Sequence, residues 1–342
     1  MDDSKWSRGW TLIVHAVAAF QKYPCLILPI LIVWLIYAPS VLYFRFYFHW
    51  DRHSVGDSLV ITFFIIVAFS FCILLACDVL LELIQQLEND EPSVMSAVAA
   101  TFRKDLANIL PLALAWAFIW FALTLIEAVL SRRDKDVGGD VELNAQSAAE
   151  TIANYGTFSL SSAFLEALKK GVRMVVFLIL PAIAWEDMNF VDATKKGLGV
   201  LKAHLGEFAR GYALTYAAAA VVFLPPAILF MLGSRHHGHA PLVHFPDAVW
   251  VATTIYVGLA WSFCLYLEQM FVAQLYLWHM KWERKFEVAR LIKRPLPAFE
   301  DIEPPVLLAK IPDLFGEQSA GGARARARAA SLGPARPPGR PA

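Results

Sequence analysis

Apolar positions in this chain gather into runs of about twenty, the length a helix needs to cross a hydrocarbon core of roughly 30 Å. Five runs have this form: Pro24 to Tyr43, Leu59 to Leu81, Ile109 to Leu130, Gly211 to Leu232 and Ala248 to Leu277. Lipid offers an unpaired backbone group no partner, so each run is expected to be a helix. A sixth ends at Trp185. Met174 to Trp185 is strongly apolar, but a full span has to reach back to about Ser162 and take in Lys169, Lys170 and Arg173. The expectation for those cations is that they snorkel, their stems along the apolar surface and their charges near headgroups.

A second pattern, with helical rather than continuous apolar spacing, recurs three times. Trp6, Trp10, Ile13, Val17 and Phe20 step by four and three, as do Val94, Val98, Phe102 and Leu106, and Val191, Thr194, Leu198, Leu201, Leu205 and Phe208. Each set places one apolar stripe on a helix. Asp90-Glu91-Pro92 suits the start of the second helix and Asn189 the N-cap of the third. Each helix runs within a few residues into an apolar run. The pattern predicts an all-α, polytopic transmembrane helical bundle of about six spans, built from a unit used three times: an interfacial amphipathic helix followed by a hairpin of two spans. The units cover about 5–87, 88–187 and 188–282, which together make the membrane domain 1–282. Met1 to Lys22 reads as a retained interfacial helix and not a cleaved leader, because His15 interrupts its apolar stretch and Asp2 and Asp3 spoil a basic start.

Composition agrees with this reading. The 342 residues are 58% hydrophobic with 24 Phe and 11 Trp, more apolar than the roughly 45–50% of ordinary soluble domains. Net charge is zero. With the N-terminus inside, the cytoplasmic Lys and Arg, from Lys5, Arg8 and Lys22 through Arg103, Lys104 and Lys195 to Arg294, outnumber the outer ones, which favours both termini in the cytoplasm. Arg132 to Arg173 supplies most of the outer set and weighs against it. Cys25, Cys72, Cys77 and Cys264 all lie in apolar runs, where a thiol acts as a small hydrophobe. After Trp282 the chain is expected to form a cytoplasmic tail over 283–320, in which Pro295 to Phe315 alternates Pro with apolar and acidic residues like a docking strip for a protein partner. Residues 321–342 form a disordered Arg, Pro, Gly and Ala tract with five Arg and no acid. That tract suits a solvated tail better than a nucleic-acid contact.

Arg8-Gly9-Trp10, Tyr23-Pro24 with Leu26 to Leu31, Leu180-Pro181 with Trp185-Glu186, and Leu205-Gly206-Glu207-Phe208 together resemble an uncharacterised domain-of-unknown-function family of six-span prokaryotic integral membrane proteins. The pattern is also similar to the membrane domain that precedes some glycerophosphodiester phosphodiesterases. The resemblance runs from about Lys5 to Trp282 and implies a fold in a prokaryotic inner membrane. It implies no activity and carries over no catalytic residue, and no stretch here corresponds to the catalytic domain of those phosphodiesterases.

The chain contains no Walker A loop, paired-histidine zinc helix, serine nucleophile elbow or cysteine pair at metal spacing, which argues against an enzyme. Chemistry is then sought in ionisable residues within spans, which are expensive to bury and default to functional candidates. Asp78 and Glu82 fall one turn apart, Glu186 with Asp187 closes the fourth span, and Glu268 with Gln269 sits in the inner half of the sixth. They are expected either to pair with cations of the short helices, such as Lys22, Arg103, Lys104 or Lys202, or to form a cation or proton relay. Glu127 is expected to be wetted near the outer end of the third span. On the outer side, His49 and His53 could share a helix face, and His236, His237, His239 and His244 crowd one loop, so a divalent metal or a pH response is open to them. Three function classes follow: a non-enzymatic membrane organiser or assembly factor, a small-solute or ion transporter using the inner carboxylates, and an outer-face metal or pH sensor.

Overall fold

The computed structural model describes residues 3–49, 52–87, 93–135, 160–233, 245–299 and 302. Among these residues there is no strand. The helices are α1 (Asp3–Lys22), α2 (Leu28–Phe46), α3 (Val55–Leu87), α4 (Val94–Lys104), α5 (Leu106–Lys135), α6 (Leu160–Glu186), α7 (Phe190–Ala203), α8 (Leu205–Gly233) and α9 (Asp247–Leu291), with a 3-10 turn at Pro24–Ile27 between α1 and α2. The chain is a helical membrane protein. Val55–Leu87, Leu106–Glu127, Leu205–Gly233 and Ala248–Leu291 are long and apolar enough to cross a bilayer, and Leu12–Lys22 with Pro24–Ser40, bent by 105°, makes a fifth if counted as one span.

The sequence predicts six spans, and the difference lies chiefly in α6. This helix is continuous over 27 residues, yet it is absent from the apolar set because its middle carries Glu166, Lys169, Lys170 and Arg173. It packs against α3, α5 and α7, and Val176 to Trp185 is buried without a break. A helix apolar around its whole circumference is one enclosed by other helices. The same enclosure turns the three cations inward to protein partners, so they do not snorkel as expected.

Two of the short helices, α4 and α7, orient opposite to a soluble amphipathic helix. On α4 the residues facing the protein are Ala97 and Thr101, while Phe102 and Met95 are exposed. On α7 they are Ala193, Gly197 and Val200, with Val191 and Leu198 exposed. On α1 they are Leu12, Ile13, Ala16 and Ala19, with Trp10 exposed. The bulky stripe is therefore the outward face on α4 and α7 and only partly the inward face on α1. Lipid is as apolar as a leucine side chain, so a membrane helix gains little by turning its large residues inward, and small residues let two backbones approach. Ser93, the residue after the expected Asp90-Glu91-Pro92 start, caps α4 by accepting from the Ser96 N–H at 3.4 Å, and Asn189 caps α7 by accepting from the Asp192 N–H at 3.0 Å.

Each short helix stops just before a long apolar one. Tyr23 is the last residue before the 3-10 turn, Asp105 alone separates α4 from α5, and His204 alone separates α7 from α8. At all three the backbone N–H still donates to the carbonyl four residues back, Ala19, Thr101 and Val200, at 2.9–3.0 Å. Glycines set other close approaches: the ring of Phe271 on α9 rests on the Gly211 backbone of α8, and Trp34 of α2 on Gly258 of α9.

Contacts divide the chain into two units, Met1–Tyr276 and Leu277–Ala342. In the second, α9 ends at Leu291 and Lys293 adopts a left-handed φ of 52°. The Arg294 N–H donates to the Ala289 carbonyl at 2.9 Å, a helix-ending pattern of the kind that usually employs glycine. The chain then doubles back. Trp282 Nε1 donates to the Pro297 carbonyl at 3.1 Å, Trp278 Nε1 to the Ile302 carbonyl at 2.9 Å, and the Phe299 ring lies 4.2 Å from that of Trp278. The start of the expected docking strip thus packs on its own helix. Residues 303–342, including the arginine tract, lie outside the described residues.

Gly197 is the tightest of the small-residue seats on α7. A Cβ there would stand 2.8 Å from Ile179 Cγ1 and 3.0 Å from the Ile179 Cα of α6. Gly197→Ala is expected to cost about 1–3 kcal/mol by overpacking, read as a lowered thermal midpoint in detergent. Gly199→Ala on the same helix, where nothing lies within 4 Å, is the matched control and should not lower it.

Candidate functional site

Three groups of ionisable residues in the first unit lie on or beside α6. Glu268, 2% exposed on α9, accepts from Arg173 Nε at 2.8 Å and Nη2 at 2.9 Å, with Lys170 Nζ at 3.3 Å. Arg173 and Lys170 are three residues apart and share a face of α6. Lys170 also stands 5.2 Å from the ring centres of Tyr212 and Tyr216, one turn apart on α8, and Tyr212 donates to the Ala167 carbonyl at 2.8 Å. The planar guanidinium fork suits a carboxylate held in two bonds, and tyrosine faces suit an ammonium. One carboxylate here answers two cations.

In the second group, Lys169 reaches Glu127 at 2.5 Å and Glu166 at 3.2 Å. Glu127 is thus engaged by a buried lysine, where the sequence suggested a wetted helix end. The third group gathers where α3, the α4–α5 joint and the end of α6 meet. Lys104 Nζ lies 2.6 Å from Asp187 and 3.9 Å from Glu82, and donates to the Ala184 carbonyl at 3.0 Å. Asp187 holds a φ of 54°, and the Met188 N–H beyond it donates to the Ala182 carbonyl at 3.2 Å. This is a left-handed helix end that Asp tolerates better than most residues. Asp78 and Asp105 complete the group. Burial, foremost, pushes the Asp105 carboxyl up from 3.8 to about 6 against the pull of Lys104, with Glu82 and Asp187 adding repulsion.

The other sequence-predicted residues have distinct surroundings. Glu186 accepts from the Tyr276 hydroxyl of α9, and Trp185 Nε1 donates to the Leu81 carbonyl of α3 at 3.3 Å. Gln269 is fully buried, and neither polar atom of its side chain has a hydrogen-bond partner. Its neighbours Tyr266 and Gln274 instead tie α9 to α1, donating to the carbonyls of Ala16 and Leu12 at 3.0 and 3.1 Å. Of the cations proposed as partners, Lys104 meets Glu82; Glu268 is met from α6, not from a short helix. His53 stacks on Phe48 at 4.8 Å and His49 is exposed. His236, His237, His239 and His244 lie outside the described residues. Among the described residues no group of three or more His, Cys, Asp or Glu is placed to hold a metal ion.

No family model, no curated protein and no solved structure matches the chain. The geometry alone therefore carries the reading. Sequence reasoning missed Asp105, Thr101 and the inward role of the α6 cations. The signal for the last was present: 166, 169, 170 and 173 follow the three-and-four spacing of one helix face, the spacing that marks an inward face when the residues are apolar.

The Glu268 cluster should behave as a structural joint. Removing its charge leaves Arg173 and Lys170 buried without an anion, and breaking such a pair costs about 3–5 kcal/mol. Glu268→Gln is expected to lower thermal stability by that order, and Arg173→Gln in the same chain to restore part of it. An unchanged melting midpoint in Glu268→Gln would show that the cluster bears no structural load.

Proposed function

We propose that this chain is a non-enzymatic organiser or assembly factor of a prokaryotic inner membrane. It has six spans with α6 as the fourth, a threefold unit of short helix and hairpin, and both termini in the cytoplasm. The supporting observation is that Glu268, Glu127 and Glu82 are each met by a cation on a different helix, which is how packed helices are locked and not how a translocated solute is held. The outward apolar faces of α4 and α7, beside Arg103 and Lys196, suit the acyl boundary and its headgroups. The one-residue joints at Asp105 and His204, and the 3-10 turn after Tyr23 in the corresponding place, support the repeated unit, and the lipid bilayer itself is the first partner. A protein partner would engage the tail beyond residue 302.

A second reading, a small-solute or ion transporter, is favoured by one observation: Asp78, deep in the same cluster, has no cation of its own. Protein reconstituted in liposomes with an internal pH-sensitive dye separates the two. The organiser reading expects proton entry under an imposed potential to match protein-free liposomes, and entry above that level would replace it with the transport reading.

Topology gives a separate check. Reporter fusions at Gly197 and after Trp282 should signal cytoplasm, and those near Asp140 and His237 the exterior. The same signal from Asp140 and Gly197 would mean that α6 does not cross, and would remove the threefold unit.

A further inference from the structure

Asp78 differs from the other carboxylates around α6. It is fully buried, and neither oxygen of its side chain has a hydrogen-bond partner. The ionisable groups that bear on it are two more acids, Asp105 of the α4–α5 joint and Glu82 one turn along α3. The third group facing it is the hydroxyl of Thr101 on α4, which is itself fully buried.

The cations of the neighbourhood are committed elsewhere. Lys104 is held by Asp187 and the Ala184 carbonyl, with Glu82 as its next anion, and Arg173 of α6 is held in two bonds by Glu268 of α9. Cys77, beside Asp78 on α3, is near enough to feel the charges of Arg173 and Glu268. An ionised Asp78 would thus be an uncompensated anion in a low-dielectric interior, next to a second carboxyl. Two carboxylates in that position do not both ionise, and one proton held between them turns the repulsion into a hydrogen bond.

We propose that Asp78 and Asp105 form a buried proton-binding site, in which the pair holds one proton at neutral pH and Thr101 donates to an oxygen left free. The outer edge of the cluster is wet: Lys104 and Asp187 are 39% and 67% exposed at the side chain. Release sends the proton to water and leaves two anions, one on α3 and one at the joint where α4 turns into α5. The seat of α4 against α3 is thereby tied to proton occupancy. The site stands or falls independently of the organiser reading, since it requires no flux.

The test is infrared titration of the full chain in nanodiscs, supported by thermal unfolding. The wild-type protein should show a protonated-carboxyl absorption at neutral pH that bleaches as pH rises. Asp78→Asn should lose the band and keep the fold, because Asn has the shape and neutrality of the protonated acid, while Glu82→Gln should keep the band. The stability signature has a definite sign. A carboxyl whose folded-state value lies above its ordinary one contributes stability that is present at low pH and lost as pH rises through the folded value, so the wild-type midpoint should fall as pH rises past neutrality and the shared proton leaves, and Asp105→Asn should flatten that slope. A wild-type spectrum with no protonated-carboxyl band at neutral pH overturns the proposal whether or not any variant folds. So does a band that persists unchanged in both Asp78→Asn and Asp105→Asn.

Discussion

A charge inside a bilayer has to be answered by protein, because lipid supplies neither a counter-ion nor a hydrogen bond. Helix α6, packed among helices long and apolar enough to cross a bilayer, carries Glu166, Lys169, Lys170 and Arg173 on one face, and the arrangement around it follows. Helix α5 meets that face with Glu127, α9 with Glu268, and α8 with the rings of Tyr212 and Tyr216. The remainder of α6, from Val176 to Trp185, is covered on all sides. Unlike apolar surface, which lipid can cover equally well, these charges discriminate between one set of neighbours and another. They define which helices belong together.

The short helices solve a different problem with the same solvent. In water an amphipathic helix hides its large apolar residues against the protein. Here α4 and α7 present their largest ones outward and give the protein alanine, threonine, glycine and a single valine. This brings their backbones close to α3 and α6, so that residues with little side chain position the joints at Asp105 and His204. Contact at that distance leaves no room for adjustment, which is why Gly197 lies so near the Ile179 backbone.

Helix positions were largely legible in the sequence, because an unbroken apolar run has few alternatives in lipid. Asn189 as a cap was also legible, since a side-chain oxygen at the start of an apolar period has an evident use. The inward face of each short helix was not. Periodicity marks a stripe of large residues but says nothing about which solvent surrounds it, and Ala97, Thr101, Ala193 and Gly197 carry too little hydrophobicity to draw notice. The partners of the charges were hidden for another reason. Glu268 and Arg173 are 95 residues apart, and with cations on every segment expected on the inner side the spacing alone pointed equally well to Lys22, Lys104 or Lys202. Asp105 was overlooked because it reads as an ordinary polar residue at a helix end, and only the close passage of α3 makes it half of a pair.

The joints at Asp105 and His204 are each a single residue long, and both lie between helices whose faces are already committed. An α-helix turns about 100° per residue. Adding or deleting one residue at either joint would rotate the following span by that angle and carry its inward positions toward lipid, while the short helix stayed seated. Homologous chains that keep this architecture should therefore hold the spacing from Ser93 to Leu106 and from Asn189 to Leu205 fixed, and place their insertions and deletions in the segments that connect one long helix to the next.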